Sequence, residues 1–333
     1  MTTMKDVARR AGVSPSTVSH VINETRFVSQ QLRDRVLHAM RELNYQPSAV
    51  ARSLRTKRTQ VIALVIPDIT NPYFPEVARG VQDVAEENEY SVILCNTDRM
   101  RERELRFLKA LRGQQVDGLI LNPSEVTSGD LQDLQDAQIP VVLIGSQIDH
   151  PDLDVVMVDN VQGAYDAVSH LFGLGHRRIG LIGGLRAFSS GEQRFQGYIR
   201  ALTDLGIPID KEIITEERFT REGGYESMNY LLARQSPPTA VFASSDVMAI
   251  GALTAIQEEG LQVPNDVSLV GFDDIAEAST TTPKLTTVSQ PKYQAGQVAA
   301  QLLFDRIEGA SPGERQKVVL SHQLVIRDST ARA

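Results

Sequence analysis

From Val61 to the C-terminus the chain alternates short apolar runs rich in Val, Ile and Leu with stretches of helical period. The runs VIALVIPD, YSVILCN, VDGLIL, IPVVLIG and VVMVD come first, and RIGLIGG, TAVFASS and VSLVGFD follow a helical stretch near residues 163–172. Apolar runs this short, without polar alternation, fit strands buried on both faces. Strands that alternate with helices imply crossover connections and a parallel sheet. Helical candidates lie near residues 74–88, 102–112, 130–137, 195–205, 223–232 and 247–259. Roughly ten elements per half suffice for two Rossmann-like lobes. The segment from Val288 through Val325 supplies a further helix and strands that cross back to complete both.

The first sixty residues carry no such run and read as three short helices. Lys5 to Arg10 holds apolar Val7 and Ala8 and stops at Gly12, suited to a left-handed helix end. Ser14 is a candidate N-cap with Pro15 at the first helical position of a second helix running to about Ile22. Two helices joined by a three-residue turn containing glycine have helix-turn-helix spacing. A third helix is expected from after Ser29 to about Asn44, burying Leu32, Val36, Leu37, Met40 and Leu43. The expected fold class is a small all-α helix-turn-helix head on an α/β two-lobed body with two parallel sheets.

Charge separates the same two parts. Residues 1–60 hold eleven Lys/Arg against four Asp/Glu, a net +7, and the remainder is −15, which together give the overall −8. A basic head on an acidic body fits a polyanion that only the head touches. The sole cysteine, Cys95, lies in the apolar run SVILCN and is read as core packing, so neither a disulfide framework nor a cysteine metal site is available within one chain. No apolar run approaches the length of a membrane span, and MTTMKDVARRAGV is unlike a signal peptide, so a cytoplasmic protein is expected. The six histidines show no HExxH spacing, no GxSxG elbow or Walker loop occurs, and GLIGGL lacks a full GxGxxG. An enzyme is therefore not expected, nor a cofactor or a metal.

The second helix, SPSTVSHVIN, carries the strongest functional signal, because a recognition helix needs short polar residues at its start to reach base edges. Pro15, Ser16 and His20 are assigned to its outward face, and Thr17, Ser19 and Asn23 to phosphate or backbone hydrogen bonds. Val18, Val21 and Val7 are assigned to packing.

MKDVARRAGVSPSTVSHVINETRFVS, followed by ELNYQPSAVARSL, resembles the head and hinge of the lactose-repressor family, and in particular its purine-repressor branch. VDGLIL, LGHRRIGLIGG, PTAVFASSD, VPNDVSLVGFDD and LTTVSQP extend the resemblance over nearly the whole chain. It implies a transcriptional repressor, homodimeric on a pseudo-palindromic operator, with a body resembling periplasmic sugar-binding proteins. The chain ends without a leucine-heptad tail, so a dimer rather than a tetramer is expected. The implied divisions are a head over 1–46, a hinge over 47–59, one lobe over 60–160 plus 291–319 and the other over 161–290 plus 320–333. PSAVARSL is too short for a stable isolated helix. By resemblance it forms on DNA, with Leu54 wedged between base steps in the minor groove and Arg52 and Arg55 beside it.

The same resemblance points to an effector cleft lined by Tyr73, Phe74, Phe188, Ser190, Arg194, Phe219, Asp246 and Asp273. Arg194 matches the family's ligand-binding arginine, and Phe219 an aromatic that covers the ligand. Asp246 and Asp273 each end an apolar run, which places both carboxylates in one crevice. Phe188 stands where the purine-repressor branch has an arginine, which weakens a purine reading, since a site built on hydrogen bonds discriminates against missing partners. A sugar or sugar derivative is the expected effector, with a purine or other metabolite as the alternative. A transport-type solute-binding protein is the alternative for the chain as a whole, disfavoured by the head.

Overall fold

The computed structural model describes residues 2–23, 26–45, 58–124, 126–146, 148, 153–309 and 315–333. The chain divides into two compact units, Met1–Gln60 and Val61–Ala333.

The head contains α1 (Met4–Ala11), α2 (Pro15–Asn23) and α3 (Gln30–Glu42). Thr3 and Asp6 form a reciprocal capping box on α1, and the Thr3 hydrogen bonds hold the Asp6 carboxyl below its usual range. Gly12 closes α1 at φ 62°, donating its N–H to the Ala8 and Arg9 carbonyls. Ser14 Oγ accepts from Thr17 N at 3.1 Å, which satisfies one of the first-turn amides of α2. Val7, Ala8, Ala11, Val18, Val21, Val36 and Ala39 form the core. Of the expected α3 stripe Val36 is buried, Leu32, Met40 and Leu43 are half-buried, and Leu37 is 42 % exposed, with Ala39 buried instead. Leu37 sits about 100° around the helix from Val36, whereas Ala39, Met40 and Leu43 share the Val36 face. The helix stops at Glu42, and Asn44 takes φ 46° just beyond it.

The first sheet of the body joins β1 (Val61–Ile66), β2 (Ser91–Asn96), β3 (Gly118–Leu121), β4 (Val141–Ile144), β5 (Asp154–Val158) and β11 (Lys317–Leu320) in the order β11-β5-β4-β3-β1-β2, all parallel. The second joins β6 (Ile179–Gly184), β7 (Ile214–Glu217), β8 (Ala240–Ala243), β9 (Ser268–Asp273), β10 (Thr286–Ser289) and β12 (Gln323–Val325) in the order β12-β10-β9-β8-β6-β7. It is parallel except for β12, which runs antiparallel to β10.

The inner strands of each sheet are buried on both faces, their successive side chains pointing opposite ways, whereas edge strand β2 exposes Ile93 and Leu94 and edge strand β11 exposes Val319. Ile62, Leu64 and Ile66 of β1 pack against α4 (Tyr73–Glu87) and α11 (Lys292–Glu308), while Ala63 and Val65 face α5 (Arg101–Gln114) and α6 (Ser128–Asp136). In the second sheet α9 (Arg221–Leu232) and α10 (Asp246–Glu258) cover one face, and α7 (Asn160–Gly173) and α8 (Ser189–Asp204) the other. The α4 and α11 backbones meet closely: a Cβ on Gly80 would lie 2.1 Å from the Tyr293 carbonyl oxygen, and one on Gly296 2.1 Å from that of Val77. The chain passes between the sheets at residue 159, at 290–291 and at 321–322.

Two elements differ from the sequence reading. β7 was not anticipated, since this short edge strand is only half-buried and carries two glutamates. α8 begins at Ser189 rather than near Phe195, its first turn hidden in a Ser-Ser-Gly sequence that reads as loop.

Candidate functional site

In the first sheet β1 lies between β2 and β3, and in the second β6 lies between β7 and β8. Strand order reverses at those places, and the crevice outside the carboxyl ends of the strands is where open α/β sheets bind ligands. Residues just past the strand ends line one cavity there. Asn71, Tyr73 and Phe74 follow β1, Arg99 follows β2, Asn122 follows β3 and Asn160 follows β5. From the second sheet come Phe188, Ser190 and Arg194 after β6, Phe219 after β7, Asp273 at the end of β9 and Gln290 after β10.

Arg194 is 5 % exposed and anchored on both sides. Its Nε donates to Asn160 Oδ1 at 2.9 Å, one Nη to the Ser244 carbonyl, and the other lies 3.2 Å from Asp273 Oδ1. Its guanidinium carbon sits 3.8 Å from the centre of the Phe272 ring. Three of five N–H donors are thereby held by protein, and two remain for a ligand. Burial lowers the Arg194 pKa and raises that of Asp273, and their mutual attraction opposes both shifts. Asp273 Oδ1 also accepts from Gln290 Nε2 at 2.6 Å. Lys292 Nζ donates to the Asp273 and Asp274 carbonyls at 2.8 and 2.6 Å. Asp273 and Asp274 take φ of 118° and 55°, strained values for residues with a Cβ.

Aromatic surface flanks these polar groups. Tyr73 and Phe74 meet edge to face at 5.0 Å, and burial pushes the Tyr73 hydroxyl upward in pKa. Phe188 and Phe219 are 7 % and 5 % exposed, and the Arg99 guanidinium lies close to both rings.

Asp246 is the exception among the expected cleft residues. It is fully buried inside the second lobe and absent from the cavity lining. Its Oδ1 accepts from Thr287 Oγ1 at 2.6 Å and its Oδ2 from Ile275 N at 2.9 Å. It is the first residue of α10, and burial raises its pKa well above the usual value. The residues that sequence reading missed, Asn71, Arg99, Asn122, Asn160 and Gln290, share one signal: each is polar and follows closely on an apolar run.

In the head, Pro15 and Ser16 are exposed, and Thr17, Ser19, His20 and Asn23 are half-buried. Ser16, Ser19, His20 and Asn23 fall at helical spacing along one side of α2. Asn23 Nδ2 turns back to the Ser19 carbonyl at 2.6 Å, and Ser16 and Thr17 hydroxyls lie 2.7 and 2.9 Å from Ser14 Oγ. Val7, Val18 and Val21 are buried in the helical core. Arg52, Leu54 and Arg55 lie outside the described residues. Among the described residues no helix is long and apolar enough to cross a membrane, and no group of His, Cys, Asp or Glu is arranged to hold a metal.

Residues 3–48 match the family described as bacterial regulatory proteins, lacI family, and residues 168–330 match a periplasmic binding protein-like domain. The chain is 40 % identical over 330 residues to the HTH-type transcriptional repressor PurR of Pasteurella multocida, covering 99 % of this chain and 98 % of that one. It is also 40 % identical over 333 residues to the ribose operon repressor of Haemophilus influenzae, again covering 99 % and 98 %. The lac repressor dimer bound to operator and the anti-inducer ONPF matches with a TM-score of 0.88 at 30 % identity, over 99 % of both chains. These relatives are transcriptional repressors rather than enzymes.

Proposed function

The chain belongs to the lacI family of bacterial regulatory proteins and is a DNA-binding transcriptional repressor, and from that premise we propose that it is a homodimer whose operator affinity is set by a saccharide or sugar derivative held in the body. Residues 60–160 with 291–319 form one wall of the cleft, and 161–290 with 320–333 the other.

One observation carries the ligand class. Asn71, Asn122, Asn160 and Gln290 line the cavity together with Arg194, Asp273 and the aromatic side chains of Tyr73, Phe74, Phe188 and Phe219. Sugars present hydroxyls around the ring edge and C–H on its faces, which suits carboxamide and charged partners at the edge and aromatic planes against the faces. Whole-chain similarity does not select the effector, because identity is 40 % both to a repressor named PurR and to a ribose operon repressor.

The head reads DNA through α2: Pro15, Ser16 and His20 face bases, while Thr17, Ser19 and Asn23 secure the backbone. Residues 47–59 carry Arg52, Leu54 and Arg55 to the minor groove. Effector binding changes the angle between the lobes, and the linker transmits that change as a difference in DNA affinity.

Thermal unfolding of the whole protein against sugars, sugar phosphates, nucleosides and purines tests the cleft. A ligand at a hundredfold excess over its dissociation constant stabilises the folded state by about 2.7 kcal/mol. A sugar shift that disappears in Arg194→Ala and Asp273→Ala, each shown to be folded by circular dichroism, is the expected outcome. A shift with purines alone would overturn the saccharide assignment and leave the repressor standing.

A further inference from the structure

We propose that the effector carries an anionic group, a carboxylate or a phosphate on a sugar-like frame, and that Arg99 is the residue that reads it. The inference rests on the cleft assignment above and narrows its ligand class.

Arg99 sits in the turn after β2, where Asp98 and Arg99 both take left-handed backbone conformations, φ 51° and 57°. Such strain in residues with a Cβ costs on the order of 1–3 kcal/mol each and persists only where the surroundings impose it. Here they do: Arg99 N donates to the Pro67 carbonyl at 3.2 Å, Met100 N to that of Thr97 at 3.0 Å, and the Asp98 carboxylate is held by Asn96 and Arg103. The strained turn delivers a long cationic side chain from the first sheet to the wall formed by the second. Its guanidinium carbon lies 5.0 Å from the Phe188 ring centre and 5.1 Å from that of Phe219.

The other charges around the cleft are satisfied within the protein. Arg194 pairs with Asp273, Lys292 holds two carbonyl oxygens and lies 3.6 Å from Glu76, and Asp274 is bound by Arg327 at 2.6 Å. Arg99 has no carboxylate within ion-pair distance among the described residues, and its guanidinium makes no hydrogen bond to them. Asp68 and Asp273 act on it only from longer range, and Asp68 Oδ1 already accepts from Thr70 N and Oγ1 at 2.9 and 2.6 Å. Burial lowers the Arg99 pKa, yet an arginine stays charged. A half-buried guanidinium close to two aromatic rings, with no hydrogen bond to the described residues, has N–H donors to offer a ligand, and the guanidinium fork matches the paired oxygens of a carboxylate or phosphate. A neutral sugar would leave the charge uncompensated in a partly desolvated site.

The test titrates the full-length protein, by calorimetry and thermal unfolding, with glucose 6-phosphate, ribose 5-phosphate and gluconate beside neutral glucose and ribose. At least one anionic probe is expected to bind tenfold or more tighter than its neutral counterpart, and Arg99→Gln to erase that preference. Preference for the sugar phosphates or for gluconate identifies the anion as phosphate or carboxylate. Equal binding of charged and neutral probes, or an anionic preference that survives in Arg99→Gln, overturns the role of Arg99 and leaves the saccharide cleft intact. Binding of none of the five probes overturns both.

Discussion

Asp246 and Asp273 each close an apolar run, yet they do different work. Asp273 lies at the cavity with Arg194 and Gln290, while Asp246 binds Thr287 and Ile275 inside the lobe. Asp246→Ala is therefore expected to destabilise the protein by about 1–3 kcal/mol for each abandoned buried donor, read by urea unfolding, while the folded fraction keeps its effector affinity. A variant of normal stability that had lost effector binding would reinstate Asp246 as a cleft residue. Sequence could place both carboxylates at a strand end because strand ends are visible as the close of an apolar run. It could not say which way a side chain turns at the first step of a helix, since that is decided by Thr287 and Ile275, distant in the chain. Arg99 was illegible for the same reason: nothing in TDRM announces two left-handed residues or the phenyl rings of another sheet.

At the scale of elements, apolar runs and helical periods located most of the body, because a strand buried on both faces leaves a dense hydrophobic signature. The edge strand β7 lacked it, as one side of an edge strand is free of neighbours and tolerates glutamate. Helix contacts were also invisible, and two can be tested. Gly80→Ala forces a Cβ against the Tyr293 carbonyl and should cost about 1–3 kcal/mol despite the better helix propensity of alanine. An unchanged midpoint in thermal unfolding would show that α4 and α11 can part at no cost. Between α5 and α6, Arg101 clasps Asp130 through two hydrogen bonds at 2.9 and 2.8 Å, and Thr127 donates to the same carboxylate, bringing its pKa from 3.8 to about 2. A folded-state pKa below the unfolded one gives stability that is present above pH 3.8 and lost as pH falls towards 2. With Arg101 39 % exposed, solvent screening leaves a contribution of about 1–2 kcal/mol. Asp130→Asn should remove that amount at pH 7 and make unfolding less sensitive to acid between pH 4 and 2, by denaturant titration at each pH.

For the whole molecule, the +7 of residues 1–60 against the −15 of the remainder assigns nucleic-acid attraction to one end of the chain. Operator affinity should fall linearly in log-log form with salt, the slope counting the phosphates neutralised. Under the proposed function, effector and operator alter one another's affinity by the same factor, typically 5- to 150-fold. Fluorescence titration of each in the presence of the other measures both factors, and unequal values would exclude simple linkage between cleft and head. The two-lobed architecture was legible in sequence because its strands and helices alternate so regularly.

The strands supplied by the C-terminal segment bear on how the protein is made. β11 pairs on β5 and β12 on β10, and Ser329 is buried against Leu269 and Thr286, so residues from 317 onward finish both sheets. Among the described residues the helices of the head, by contrast, end at Glu42. A chain emerging from the ribosome can assemble its DNA-reading end early, while β5 and β10 await their last neighbours until residues 317–325 have emerged. A message cut before the codon for residue 317 would thus yield a chain that keeps its helix-turn-helix head and lacks a strand of each sheet of the body.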